Sequence, residues 1–186
     1  MLINRVANQL LIMRDLREPL QQLNDGKDAT ISVAQSARPL LSAALWAHEP
    51  RPCLLVVPGE EAADRMAEAL RAWVGSDAVL RYPNRDDLPW SDKVANDSVV
   101  GMRCAAVEAL AMGRECLVVS SARALMRRVP PAGSGYYCGS TFEVGDEIDF
   151  EDVPRLFVAM GYANVGAVDV PGTFCVHGDT VDVFPA

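Results

Sequence analysis

Histidine is nearly absent from this chain: His48 and His177 are the only two among 186 residues. The five cysteines (Cys53, Cys104, Cys116, Cys138 and Cys175) lie far apart and include no C-x-x-C pair. Structural zinc sites draw on clustered Cys and His, so none is expected. Scattered cysteines in or beside apolar runs fit small buried hydrophobes, and a reducing cytoplasm. No apolar run reaches the roughly 18 residues that a membrane span needs. Arg5, Arg14 and Asp15 interrupt the first apolar stretch, which does not read as a signal peptide. No Ser, Cys or His stands at a recognisable nucleophile–base spacing. No internal repeat is visible.

Basic residues are also missing from one end. Residues 136–186 hold nine acids and a single base, Arg155, while residues 1–135 carry 16 of each sign. The net charge of −8 therefore belongs to the C-terminal segment. A phosphate-binding surface needs the opposite sign, so this segment is expected to avoid nucleic acid. Two readings fit it: a face for a basic protein, or a solvated acidic surface that keeps the domain soluble.

What remains is strongly patterned. With half its residues hydrophobic, the chain can bury one sizeable core and a smaller second one. Helical spacing over residues 4–23 predicts two short helices split near Pro19. Thr30–Val33 reads as a short strand and Pro39–Ala47 as a helix opened by proline. Cys53–Val57 is an unbroken apolar run, as in a strand covered on both faces. Glu60–Val74 has Ala63, Met66, Ala67, Leu70 and Trp73 on one side, and Gly75 stops it. A strand at Ala78–Tyr82, a helix at 97–112, a strand at Glu115–Ser120 and a short helix at Ser121–Arg128 follow. Alternating strand and helix predicts an α/β layer fold with a mostly parallel sheet. The stretch Pro130–Gly135 is linker-like and sets a boundary, giving a first domain over 1–132 and a second over 133–186.

The second domain reads as α+β, with a strand near Ser140–Val144 and a helix from about Asp152 to Met160, capped by Gly161. Phe174, Val176, Val181 and Val183 alternate around a Gly178-Asp179 turn, which predicts a hairpin with one apolar face. A hairpin alone is marginal in water and needs more strands or a helix to cover it. The chain is therefore expected to be a piece of a larger protein.

The first strand–helix junction is where an α/β nucleotide-binding protein places its phosphate loop. That loop needs G-x-x-x-x-G-K-[ST], so that backbone N–H groups wrap the phosphates, Lys reaches the terminal ones and a hydroxyl holds Mg²⁺. Here the residues are Gln35, Ser36, Ala37, Arg38 and Pro39, with no glycine among them. Arg38 stands where the Lys would be, and Pro39 removes a backbone donor at the helix mouth. The scaffold reads as P-loop-NTPase-like with a degenerate nucleotide site, and no cofactor is expected. Asp86-Asp87 reads as a pair of turn and cap formers rather than a catalytic pair. His177 reads as an exposed strand histidine rather than a ligand.

Several segments together resemble a known family. Thr30–Leu41 is similar to the degenerate P-loop of the bacterial transcription-repair coupling factors. Tyr82–Trp90 resembles their aromatic–Pro loop ending in Leu-Pro-aromatic, and Ser121–Pro130 the element closing their first domain. Gly161-Tyr162, then Pro171–Phe174 and Asp182–Pro185, resemble their second domain. The excision-nuclease B subunit (UvrB) shares this module, but it keeps a working P-loop and carries a long Tyr-rich hairpin insertion. This chain has only a short connection between Trp90 and Val99.

The resemblance implies a non-catalytic docking module that recruits the damage-recognition subunit UvrA to stalled RNA polymerase. It implies contact with C-terminal domains of the same polypeptide, and contact with polymerase and DNA only through regions absent here. In the B subunit, arginines contact UvrA; the matching positions here are Asn164, Cys175 and His177. Either the partner surface has changed with them, or the contact is mainly apolar through Phe174 and Val176. Arg155 is the remaining basic anchor unless it pairs with Glu151 or Asp152 on its own helix. Two alternatives stay open: a UvrB-like ATP-dependent DNA-binding helicase fragment, and a structural module restraining the motor.

Overall fold

The computed structural model describes residues 2–85, 87, 90, 96–131 and 139–185, with residues 2–4 as backbone only. It is an α/β fold with two three-stranded sheets. Helices α1 (Leu2–Leu11) and α2 (Arg14–Asn24) open the chain, and α3 (Arg38–His48) follows a 3-10 turn at Gln35–Ala37. The break between α1 and α2 falls at Ile12-Met13, not at Pro19, which lies inside α2. Met13 N–H already turns back to the Leu10 carbonyl (3.0 Å), so the first helix closes before the proline is reached.

Strands β1 (Cys53–Val57), β2 (Val79–Tyr82) and β3 (Leu117–Ser121) form a parallel sheet in the order β1-β3-β2. The expected strand at Thr30–Val33 is absent: the segment has no regular secondary structure and pairs with no strand among the described residues. Its alternation survives, with Ile31 and Val33 half-buried and their neighbours exposed. Alternation reports a covered face; a strand also requires an adjacent backbone.

Helix α4 (Glu60–Val74) covers one face of this sheet. Ala63, Ala67, Leu70 and Val74 pack there on Val79, Leu117 and Val119, joined by Ala43 from α3. Met66 and Trp73 are partly buried at its margin. Helix α5 (Asp97–Ala111) covers the other face, where Ala106 and Ala109 meet Tyr82, Cys116 and Val118. The Asn96 side chain caps α5 by accepting from Ser98 N–H at 2.9 Å. Central β3 is buried throughout. Edge strand β1 is not covered on both faces as its composition predicts: Leu54 and Val56 stay 46% and 50% exposed. They share the face that α5 covers, and α5 reaches only β2 and β3.

Helix α6 (Ala122–Leu125) is shorter than expected, and Ser121 caps it through Ala124 N–H at 3.0 Å. The proposed domain boundary falls on residues outside those described. Beyond it, no strand forms at Ser140–Val144; Glu143–Asp146 is a turn, with Gly145 at φ +104°. Helix α7 (Asp152–Ala159) places Pro154 in its first turn, where no N–H is needed. Short strand β4 (Ala163–Asn164), unforeseen in the sequence, runs parallel to β5 (Thr173–His177). The predicted hairpin is present: β5 pairs antiparallel with β6 (Thr180–Phe184), Phe174 opposite Val183 and Val176 opposite Val181. Gly178 takes φ +59° at the first turn position, as a type II′ connection requires. Helix α7 covers the apolar face of the sheet through Val153 and Phe157.

Candidate functional site

The carboxyl ends of the parallel strands are where α/β proteins hold ligands, in the crevice where successive connections leave for opposite faces. Here β1 feeds α4 on one face and β3 feeds α6, whose Ala124 packs on the other. That switch point is filled by the chain itself. Glu60, in the first turn of α4, accepts from Ser121 Oγ through one oxygen. Its other oxygen accepts from Arg81 Nη2 (3.1 Å) and Asn84 N–H (3.1 Å). Arg81 is 92% buried, its relative exposure being 8%. It completes its fork with Asp64 Oδ1 (2.9 Å) and the Val119 carbonyl (2.8 Å). A carboxylate held by a guanidinium, a hydroxyl and a backbone N–H takes up the donors that an anionic ligand would use. Sequence reasoning missed this network. Its only signal was the parity of Arg81 with buried Val79 on β2.

The degenerate loop lies close by. Gln35 and Ser36 are exposed in the 3-10 turn, Ala37 is half-buried, and Arg38 and Pro39 begin α3. Gln35, Arg38 and Pro39 line a cavity of about 250 Å³ with Val57, Pro58 and Arg65. Arg65 pairs with Glu61 in the same helix, and no residue from 34 to 39 has a positive φ. Backbone amides that wrap a phosphate usually need glycine's freedom in the left-handed region. Neither glycine nor that geometry is present here.

Asp86, Leu88 and Pro89 lie outside the described residues. Asp87 is a tether: Arg85 donates to it through Nε (3.0 Å) and Nη2 (2.7 Å), and Arg127 through Nη1 (3.1 Å). The Arg85 hydrogen bonds hold its carboxyl below the ordinary carboxylate range, against the opposing effect of burial, and the charges of Arg85 and Arg127 add to the lowering. It therefore stays ionised and ties the loop after β2 to the segment after α6.

In the second sheet the sequence-derived contact residues separate. Phe174 is fully buried, its ring 5.3 Å from that of Phe157. Cys175 is 3% exposed. Burial raises its thiol pKa, and Asp182, 3.8 Å from Sγ, raises it further. Val176 is half-buried against the same cluster as Phe174. Hairpin parity turns both toward α7, and Phe174 also lines the floor of the concavity that holds Asn164 and Arg155. Asn164, Arg155 and His177 remain exposed. Arg155 donates to Asp152 Oδ1 at 3.2 Å, three residues back on its own helix. Arg155 and Asn164 share a shallow concavity of about 370 Å³ with Pro154 and Val158. Val158 is 59% exposed and was not singled out from the sequence. Its signal was the helical period, which puts Val153 and Phe157 inward and so turns residue 158 out.

Comparison with known proteins follows the same division. Residues 141–186 match the family model of the UvrB interaction domain. The chain as a whole is similar to transcription-repair-coupling factors. It is 35% identical to that of Myxococcus xanthus over 140 residues, 72% of this chain and 12% of that protein. It is 23% identical to that of Bacillus subtilis (strain 168) over 173 residues, 92% of this chain and 15% of that protein. It is also 26% identical over 187 residues to UvrABC system protein B of Bifidobacterium longum, covering 91% of this chain and 26% of that protein. The chain thus spans between about an eighth and about a quarter of these relatives. The matched residues contain α7 and the whole second sheet. Among the described residues no Cys/His/Asp/Glu group could hold a metal ion, and no helix is long and apolar enough to cross a membrane.

Proposed function

We propose that this chain is a non-catalytic docking module that engages a UvrA-type damage-recognition partner in nucleotide excision repair. The UvrB interaction domain match over residues 141–186 carries the reading. Two features support it. The surface of that domain is acidic, with apolar side chains left out among the acids: Phe142, Ile148 and Val158 are 43%, 46% and 59% exposed. The crest of the first sheet is occupied by Glu60, and the loop at α3 lacks the residues that cradle a triphosphate. The module works without a nucleotide and presents one face of α7 and β4 to its partner. Asn164, Val158 and His177 take the contact roles, with Arg155 released from Asp152 on binding. Recruitment to stalled polymerase, and contacts with the rest of a longer polypeptide, are parts of this proposal that rest on the family alone.

The test is titration of the 186-residue chain into purified UvrA by calorimetry. Val158→Asp and Asn164→Asp leave the core untouched, and each is expected to weaken binding roughly tenfold or more. Equal affinity in wild type and both variants removes the face. The likeness to UvrABC system protein B favours one rival, an ATP-dependent DNA-binding unit. Saturable Mg-ATP uptake that Arg38→Gln abolishes establishes the rival instead.

A further inference from the structure

The first domain holds a second cavity that neither the degenerate loop nor the partner face uses. It measures about 240 Å³, and its lining includes Tyr82, Arg85, Val100, Arg103, Arg128 and Val129. Three guanidiniums thus meet one small space, in a chain whose net charge is −8. Asp87, which Arg85 and Arg127 share, is the acid paired with this group among the described residues. Among the described residues, Arg85, Arg103, Arg127 and Arg128 stand against Asp87 and Glu108, an excess of two positive charges.

The donors divide unequally. Arg103 is 92% buried, with 8% relative exposure. It is committed to the Pro83 carbonyl (2.6 Å) and the Tyr82 hydroxyl, and its guanidinium carbon lies 3.9 Å from the centre of the Tyr82 ring. It fixes the wall. Arg85 uses Nε and Nη2 on Asp87 and keeps Nη1 free among the described residues. Arg128 makes neither a hydrogen bond nor an ion pair among the described residues, and all five of its N–H donors are open. Free guanidinium donors at the rim of an apolar-walled cavity favour an oxyanion that can accept several bonds at once.

We propose that this cavity binds a small phosphoryl dianion, held by Arg128 and the free Nη1 of Arg85, with Arg103 as its positioning residue. The charge count favours a dianion, because its two charges match the local excess and one carboxylate would leave half of it unpaired. The volume lies below the roughly 300–1,000 Å³ of drug-sized ligand sites, so inorganic phosphate or pyrophosphate suits it and a nucleotide does not. The site is independent of α3 and of the UvrB interaction domain. Phosphate uptake here therefore says nothing for a working nucleotide loop.

The probes are inorganic phosphate and pyrophosphate, titrated into the 186-residue chain at constant ionic strength. The readouts are calorimetry and the arginine Nε–Hε resonances by NMR. Saturable binding that shifts the Arg85 and Arg128 signals is expected. Arg128→Gln, at an exposed position, should weaken it roughly tenfold or more, as loss of hydrogen bonds to a charged group does. Arg38→Gln should leave it unchanged. Acetate competing as well as phosphate, chloride reproducing the shifts, or an Arg128→Gln variant that binds like wild type overturns the proposal.

Discussion

The two sheets solve the same burial problem in opposite ways. The parallel sheet is covered on both faces at its centre, and every residue of β3 is buried. Its cost is a polar crest, which Glu60, Arg81 and Ser121 satisfy among themselves. The second sheet is covered on one face by a single short helix, and four of the five residues of β6 stay exposed. Its core is little more than Val153, Phe157 and Phe174, with Tyr162, Val176 and Val181 at the margin. The exposed groups of this part, Val158 on α7 and Asn164 on β4, lie at the margin of that thin core. In the two-sided sheet the polar groups at the crest are bonded to one another.

The largest effect expected from breaking this contrast is at Phe174. Phe174→Ala should cost about 3–5 kcal/mol by loss of a fully buried ring. Urea unfolding followed by hydrogen exchange should then show β5 and β6 opening while β3 keeps its protection. Simultaneous loss in both sheets makes them one cooperative unit and ends the comparison as drawn. Arg81→Leu should cost about 1–3 kcal/mol, because Glu60 and the Val119 carbonyl lose their buried donor. That loss belongs to the first sheet alone, and the β5 amides should not register it.

Smaller effects sharpen the picture. Asp87 has its carboxyl pKa lowered in the folded state by its Arg85 hydrogen bonds. Its contribution is complete above the unfolded value of about 3.9 and fades as pH falls through the lower folded one. Asp87→Asn should flatten the stability profile in that acidic window and leave the neutral region shifted by a constant. A thiol-reactive dye should label exposed Cys104 in the folded chain and reach Cys116 and Cys175 only on unfolding. All three thiols are pushed up, chiefly by burial, so slow labelling of Cys104 at neutral pH is also expected.

Much of this was legible before the structure. The α4 stripe, the apolar runs of β1 and β3, the α/β order and the Gly178 hairpin all follow from period and turn chemistry. These signals are local, and each describes one element against a generic apolar surface. Thr30–Val33 shows where that reading stops, since its alternation is intact but it has no neighbour to pair with. Pro19 is the converse, a breaker by residue type that lies inside α2 without ending it. Phe174 and Val176 were placed at the partner face from their position in a hairpin. Which side of that hairpin faced α7 was a question of packing.

The sequence by itself determined most helices and strands of the first sheet, the charge division at residue 136 and the absence of a G-x-x-x-x-G-K-[ST] motif, because composition and spacing act over a few residues. Only the tertiary structure decided that Glu60 fills the crest, that Arg85, Arg103 and Arg128 share one cavity, and that Phe174 turns toward α7. Those outcomes depend on residues tens of positions apart meeting across a sheet, and no local pattern encodes which partners they find.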